Sequence, residues 1–184
     1  MNKCKLVLLL SVMGVGAAGS DAYAISYMSR EQAIHWALPE ADEIKEEGHV
    51  LDPDHKRSVE KELGWKLKKN KFIFYRGMQN KAVLGFAFLD DEIGKYQPIT
   101  FVIALDPKGR VRDVEVMIYR ESIGHEIKGR KFLNQFRGKD AQSPLRLGED
   151  IDALTGATLS ARSAARSVRK ALVLFKEFYG GTSG

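Results

Sequence analysis

A single cysteine in 184 residues, and that one at position 4, excludes a disulfide framework, a cysteine-ligated iron–sulfur cluster and C-x-x-C-H haem attachment. Stability must then come from an ordinary hydrophobic core, which one domain of this length can bury without covalent staples. The net charge of +5 comes with no arginine-rich tail and no ladder of alternating aromatic and basic residues, so no nucleic-acid partner is expected. Internal repeats and low-complexity blocks are also missing. The longest apolar run, residues 6–18, falls short of the roughly 20 residues of a membrane span and is interrupted by Gly14 and Gly16.

Lys3 and Lys5 precede that run, and Ala22-Tyr23-Ala24 closes it. A basic start, an apolar middle and a small-residue exit form the pattern of a secretory signal. Residues 1–24 are expected to be removed after Ala24, taking Cys4 with them and delivering a periplasmic protein; kept as an anchor, the segment would leave the protein membrane-associated.

Beyond the signal, Ser29-Arg30-Glu31-Gln32 has the capping-box spacing and predicts a helix to about Leu38, before Pro39. Residues 40–53 are acidic and expected to be irregular, and a second helix is expected over about 54–63 with Gly64 as its stop. Residues 72–75, 82–89, 99–105 and 111–119 are rich in strand-forming side chains, and Asp106-Pro107-Lys108-Gly109 is a tight turn between the last two. A helix over about 127–136 follows. The chain closes on an amphipathic helix, with Ala161, Ala164, Ala165, Val168, Leu172, Phe175 and Phe178 at helical spacing and Gly180-Gly181 behind it. The expected fold is a single α+β domain, an antiparallel sheet with packed helices and a long C-terminal helix, in which residues 25–80 form an N-terminal helical capping region and residues 81–179 the functional domain.

The chemistry concentrates just before the last helix, in Asp152-Ala153-Leu154-Thr155-Gly156-Ala157-Thr158-Leu159-Ser160. A helix start offers free N–H groups and partial positive charge, which suit a phosphate. Gly156 lets a ligand approach the backbone and Ala157 keeps the surface small. Thr158 presents a hydroxyl where such a phosphate would sit, and Asp152 could orient that hydroxyl or bond the flanking backbone. The competing reading makes Thr155 or Thr158 an ordinary N-cap, with Asp152 a favourable charge beside the helix dipole. Elsewhere, His49, Asp52, Asp54 and His55 fit no zinc or calcium spacing and are expected in a polar loop. Trp36 and Trp65 are expected in the core.

The segment Asp152-x-x-Thr155-Gly156-Ala157-Thr158 resembles the flavinylation motif of the FMN-binding domain family, which includes the C subunit of the sodium-pumping NADH:quinone oxidoreductase and the G subunit of the Rnf complex. Residues 106–111 with Val114 and Val116 resemble that family's central hairpin. Glu121-Ser122-Ile123-Gly124 resembles its acidic-x-x-glycine turn, and Phe132-x-x-Gln135-Phe136-x-Gly138-Lys139 its next helix and exit. The resemblance covers residues 82–178 and implies FMN joined covalently through its phosphate to Thr158 by a separate, magnesium-dependent flavin transferase. Thr155, Gly156, Ala157, Leu159, Asp152, Glu121 and Gly124 would then surround the cofactor. Arg120, Lys128, Arg130 and the Gly124 amide are candidates to stabilise the reduced ring, and His125 to hydrogen-bond it or assist proton uptake.

The implied function is an exported electron-transfer carrier in a membrane-associated redox chain, with a cytochrome or quinone-linked protein as partner. A flavin-dependent reductase of a small acceptor and a binding module with unmodified Thr158 are the alternatives. No metal site and no catalytic residue is expected.

Overall fold

The computed structural model describes residues 24–122 and 124–180. Most of the expected signal segment, Ile123 and Gly181 lie outside the described residues. Six strands, β1 (Ile25–Ser26), β2 (Glu43–Val50), β3 (Lys71–Gln79), β4 (Ala82–Ile93), β5 (Pro98–Leu105) and β6 (Val111–Tyr119), form one antiparallel sheet in the order β1-β6-β5-β4-β3-β2. Helix α1 (Arg30–Ala37) covers one face. The other carries α2 (Pro53–Leu63), a helical segment built from a 3-10 turn (His125–Lys128), α3 (Arg130–Leu133) and a second 3-10 turn (Asn134–Phe136), and the 22-residue α4 (Thr158–Tyr179).

Strand alternation sorts the two cores. Phe74, Phe88, Ile103, Val114 and Val116 point to the α4 face, where they meet Val168, Leu172 and Phe175. Tyr75, Ala87, Val102 and Ala104 point the other way, and the small residues among them let Ala33 and Ala37 of α1 approach closely. The capping box forms as the sequence predicts: the Gln32 amide donates to Ser29 Oγ at 3.2 Å, and the Ser29 amide donates to Gln32 Oε1 at 2.7 Å. Gly64 ends α2 in the left-handed conformation, at φ 82°.

Two expectations fail at the level of elements. The acidic segment expected to be irregular contains β2, an edge strand whose eight residues pair in register with β3. Its glutamates read as a poor strand, but an edge strand with one solvated face accommodates them. Residues 25–80 are therefore part of the sheet as well as a cap on it. The helix expected over 127–136 is interrupted at Gly129, extended at φ −64° and ψ 128°, which separates the first 3-10 turn from α3 and the 3-10 turn that continues it.

The turn at residues 106–109 shows how the sheet is tied to α4. Asp106 Oδ1 accepts from the Lys108 and Arg110 amides, both at 2.8 Å. Gly109 sits at φ 80°, and a Cβ there would lie 2.4 Å from the Phe175 ring, so glycine is required for both conformation and packing.

Candidate functional site

Neither threonine of the motif caps α4. The N-cap is Ala157, which offers no side-chain acceptor, and the first turn has no acidic residue. The Ala161 amide is the first to close an intrahelical bond, to the Ala157 carbonyl at 2.9 Å. The amides of Thr158, Leu159 and Ser160 therefore begin the helix without a side-chain cap, at its positive end. Thr158 is exposed, and its hydroxyl makes one long bond, donating to the Leu154 carbonyl at 3.3 Å. Gly156, at φ 79°, has nothing within 4 Å of where a Cβ would stand, so the space above its backbone is open. Leu159 is exposed, whereas Ala157, Ser160 and Ala161 are buried beneath it.

Two distant segments shape this helix start. The turn after β6 packs directly on it: a Cβ on Gly124, at φ 87°, would lie 2.8 Å from Tyr119 Oη, 3.1 Å from Ser160 Oγ and 3.4 Å from Ala157 Cβ. Tyr119 Oη and Ser160 Oγ are 3.4 Å apart, and burial pushes the Tyr119 phenol above its ordinary pKa. Glu121 is buried, and its Oε1 accepts from the Tyr96 amide at 2.6 Å and the Gln97 amide at 3.0 Å. It thereby anchors the β4–β5 hairpin beside the turn. From the other side, Gln135 Oε1 accepts the Asp152 amide at 2.7 Å, so the backbone of Asp152 is held while its side chain stays exposed. Lys139 then pairs with Asp150 at 2.8 Å, and the Asp150 carboxyl lies below the usual range: burial raises it, but Lys139 and the Arg146 and Leu145 amides outweigh that.

The structure thus brings Gly124 and Gln135 to the helix start with Asp152, Thr155, Gly156, Ala157, Thr158 and Leu159, while Glu121 acts one step removed, through the hairpin. The other basic candidates are engaged. Arg120 donates to the Pro98 carbonyl at 3.1 Å and to Thr100 Oγ1 at 2.9 Å. Arg130 grips both oxygens of Asp113 at 2.7 and 2.8 Å. Lys128 lies 4.8 Å over the Tyr27 ring. His125 stays beside the turn, its ring 4.9 Å from that of Tyr119.

Ser160, Tyr119 and the 96–97 amides carried no local signal, because their roles arise only from contacts across 24 to 41 positions of sequence. The expected polar loop around His49 and His55 is a correction too. His49 lies in β2, stacked 4.4 Å from Phe178, and burial lowers its pKa; Asp52 caps α2, and His55 lies in that helix. No group of three or more metal-capable side chains occurs among the described residues. Trp36 and Trp65 both sit at core edges, partly buried.

Several clefts flank α4. One of about 290 Å³ lies between Trp65, Lys68, Lys69, Ile93, Pro98 and Arg166. A second, of about 540 Å³, lies at the C-terminal end of α4 among Arg76, Lys108, Arg110, Phe175, Lys176 and Tyr179. Among the described residues no helix is long and apolar enough to cross a membrane.

No curated protein matches the sequence. Among solved structures, the crystal structure of Shewanella oneidensis NqrC is similar in fold, with a TM-score of 0.55 at 14% identity, covering 76% of this chain and 84% of that one. The likeness at this identity is one of architecture. In sequence, residues 94–173 match the FMN-binding domain family, and they include the β4–β5 turn, strands β5 and β6, the glycine turn and the start of α4. Residues 94–173 of the chain are an FMN-binding domain.

Proposed function

We propose that this protein is an exported electron carrier holding FMN covalently through a phosphoester to Thr158 Oγ1. The observation that carries the reading is the start of α4: an exposed threonine on a helix with no side-chain cap and no first-turn acid, behind a glycine with open space over its backbone. Those residues fit a phosphate. The amides of residues 158–160 would hold it, Gly156 would admit it, and Thr158 would give up one long hydrogen bond on esterification. Bound FMN supplies one- and two-electron redox chemistry, while the protein contributes attachment, position and electrostatics.

Gly124 and Ala157 keep the adjoining surface close and small, and Gln135 holds the backbone leading into the motif. A covalent link suits a protein outside the cytoplasm, where a dissociated cofactor would be lost. Attachment requires a flavin transferase in the same compartment, and the electrons pass to a membrane-bound cytochrome or quinone-linked partner. Intact-mass analysis of the protein exported in a cell with a flavin transferase tests the reading. The expected result is one FMN adduct, mapped to the peptide containing Thr158; a bare polypeptide in the presence of a functioning transferase refutes it.

A further inference from the structure

We propose that the basic face beside the start of α4, running from the lysine-rich segment 66–71 across Trp65 and Arg166 to Arg162, is the docking surface for an acidic redox protein. The inference rests on the attachment of FMN at Thr158 and names the chemistry of the partner that exchanges electrons there. Lys66, Lys68, Lys69 and Lys71 fall within six residues, and all are exposed. Lys66 pairs with Glu60 at 2.8 Å while keeping 86% of its side chain in solvent. The Arg166 guanidinium lies 4.2 Å over the Trp65 ring, which fixes a long cation in one orientation at the mouth of the 290 Å³ cleft.

The acids of the cleft offset this charge only in part. Asp90, which is buried, and Glu92 meet Lys170 at 2.9 and 2.5 Å, and Glu92 also lies 3.5 Å from Arg166, so that among the described residues Lys68, Lys69 and Lys71 remain without an acidic partner. Asp91, at the edge of the cleft, accepts from Thr100 at 2.5 Å and lies 4.0 Å from Arg120.

The surface has the composition of an interface, an apolar centre with a charged rim. Ile93, Tyr96 and Leu159 are exposed to 50, 71 and 43%. Ile93 is joined to α4 by its carbonyl, which accepts from Ser163 Oγ. Arg162 and Arg166 follow Thr158 by one and two turns, about 6 and 12 Å along the axis, so a partner seated here lies next to the flavin. The other basic cleft fits less well. Its Arg76 and Lys176 pair with Glu47 and Glu62, both at 3.1 Å, as Lys66 and Arg166 pair with Glu60 and Glu92 on the first face, so place along α4 is what separates the two. It lies at the far end of α4, roughly 30 Å from Thr158 by helical rise.

Two measurements on the full chain separate this inference from the flavin assignment. Without flavin, a fluorescein-labelled hexaglutamate peptide should bind at low salt and be released at high salt. The doubly substituted Lys68→Glu, Lys69→Glu protein should bind it about tenfold more weakly, whereas Lys108→Glu, Arg110→Glu should bind as wild type. With flavin, whose presence is read by absorbance, reoxidation by hexacyanoferrate(III) should slow as salt rises, and should slow in the first double variant alone. Equal peptide binding by the two double variants, loss confined to Lys108→Glu, Arg110→Glu, or binding of phosphatidylglycerol vesicles in place of the peptide would each overturn the docking surface. A missing flavin signal alone would refute the attachment and leave the peptide measurement decisive.

Discussion

The two ends of α4 are built on opposite principles. At its C-terminal end Phe175 and Tyr179 meet Phe86 at centroid distances of 4.9 and 4.7 Å, and Phe178 stacks on His49 at 4.4 Å. The Tyr179 hydroxyl bonds both Glu47, at 2.7 Å, and His49, at 2.8 Å, and burial drives its pKa up. At the N-terminal end the buried residues are small, Ala157, Ser160, Ala161, Ser163 and Ala164, and the first turn is left without a side-chain cap. A missing cap forgoes about 1 kcal/mol. The aromatic end fixes the helix to the sheet, so the other end can keep its amides and its hydroxyl accessible. Local stability is given up at the start of α4, where we propose the flavin is attached, and recovered by packing elsewhere.

The contrast breaks most sharply at Thr158. Thr158→Ala should abolish covalent flavin completely while leaving the thermal unfolding curve nearly unchanged, since the side chain is exposed and its hydrogen bond to the Leu154 carbonyl is long, at 3.3 Å. Mass spectrometry and calorimetry on the same sample check both halves, and an alanine variant that still carries FMN ends the assignment. Leu172→Ala is the converse. It empties a fully buried site against the sheet and should cost about 2–5 kcal/mol in denaturant unfolding, yet the folded fraction should accept flavin as wild type does.

Gly124→Ala lies between the two. The new Cβ meets Tyr119 Oη at 2.8 Å from a φ of 87°, which should cost about 1–3 kcal/mol and also lower flavin incorporation by displacing the start of α4. Normal incorporation would uncouple the turn from the site.

The smallest effect belongs to a pair of arginines away from both ends. Burial raises the Asp113 carboxyl, but Arg137 and Arg130 outweigh it and hold the group below its ordinary value. A depressed carboxylate stabilises the fold above its unfolded pKa and loses that contribution as pH falls through the folded value. Asp113→Asn should therefore reduce stability near neutral pH by at most about 1 kcal/mol and flatten the decline below about pH 4; an unchanged acid limb of the unfolding profile would show that the pair contributes nothing.

Local pattern made much of the fold legible. The capping box at Ser29, the glycine stop at Gly64, the turn at residues 106–109 and the periodicity of α4 are interactions among near neighbours, and each forms as read. Two elements depart from local pattern. Strand β2 looks like an acidic loop until β3 is placed against it, and a single extended glycine, Gly129, breaks a run that looks helical. Within the site, the motif from Asp152 to Thr158 could be read as an N-cap or a phosphate seat, and the helix start has no side-chain cap at all.

Spacing along the chain determined by itself that a hydroxyl, a glycine and a small residue would stand at the head of a long amphipathic helix, because those relations span only a few residues. Tertiary structure alone decided what surrounds them: Gly124 against Ala157, Gln135 on the Asp152 amide, and Trp65 under Arg166. The reason is physical, since a contact between residues far apart in sequence depends on the fold of everything between them.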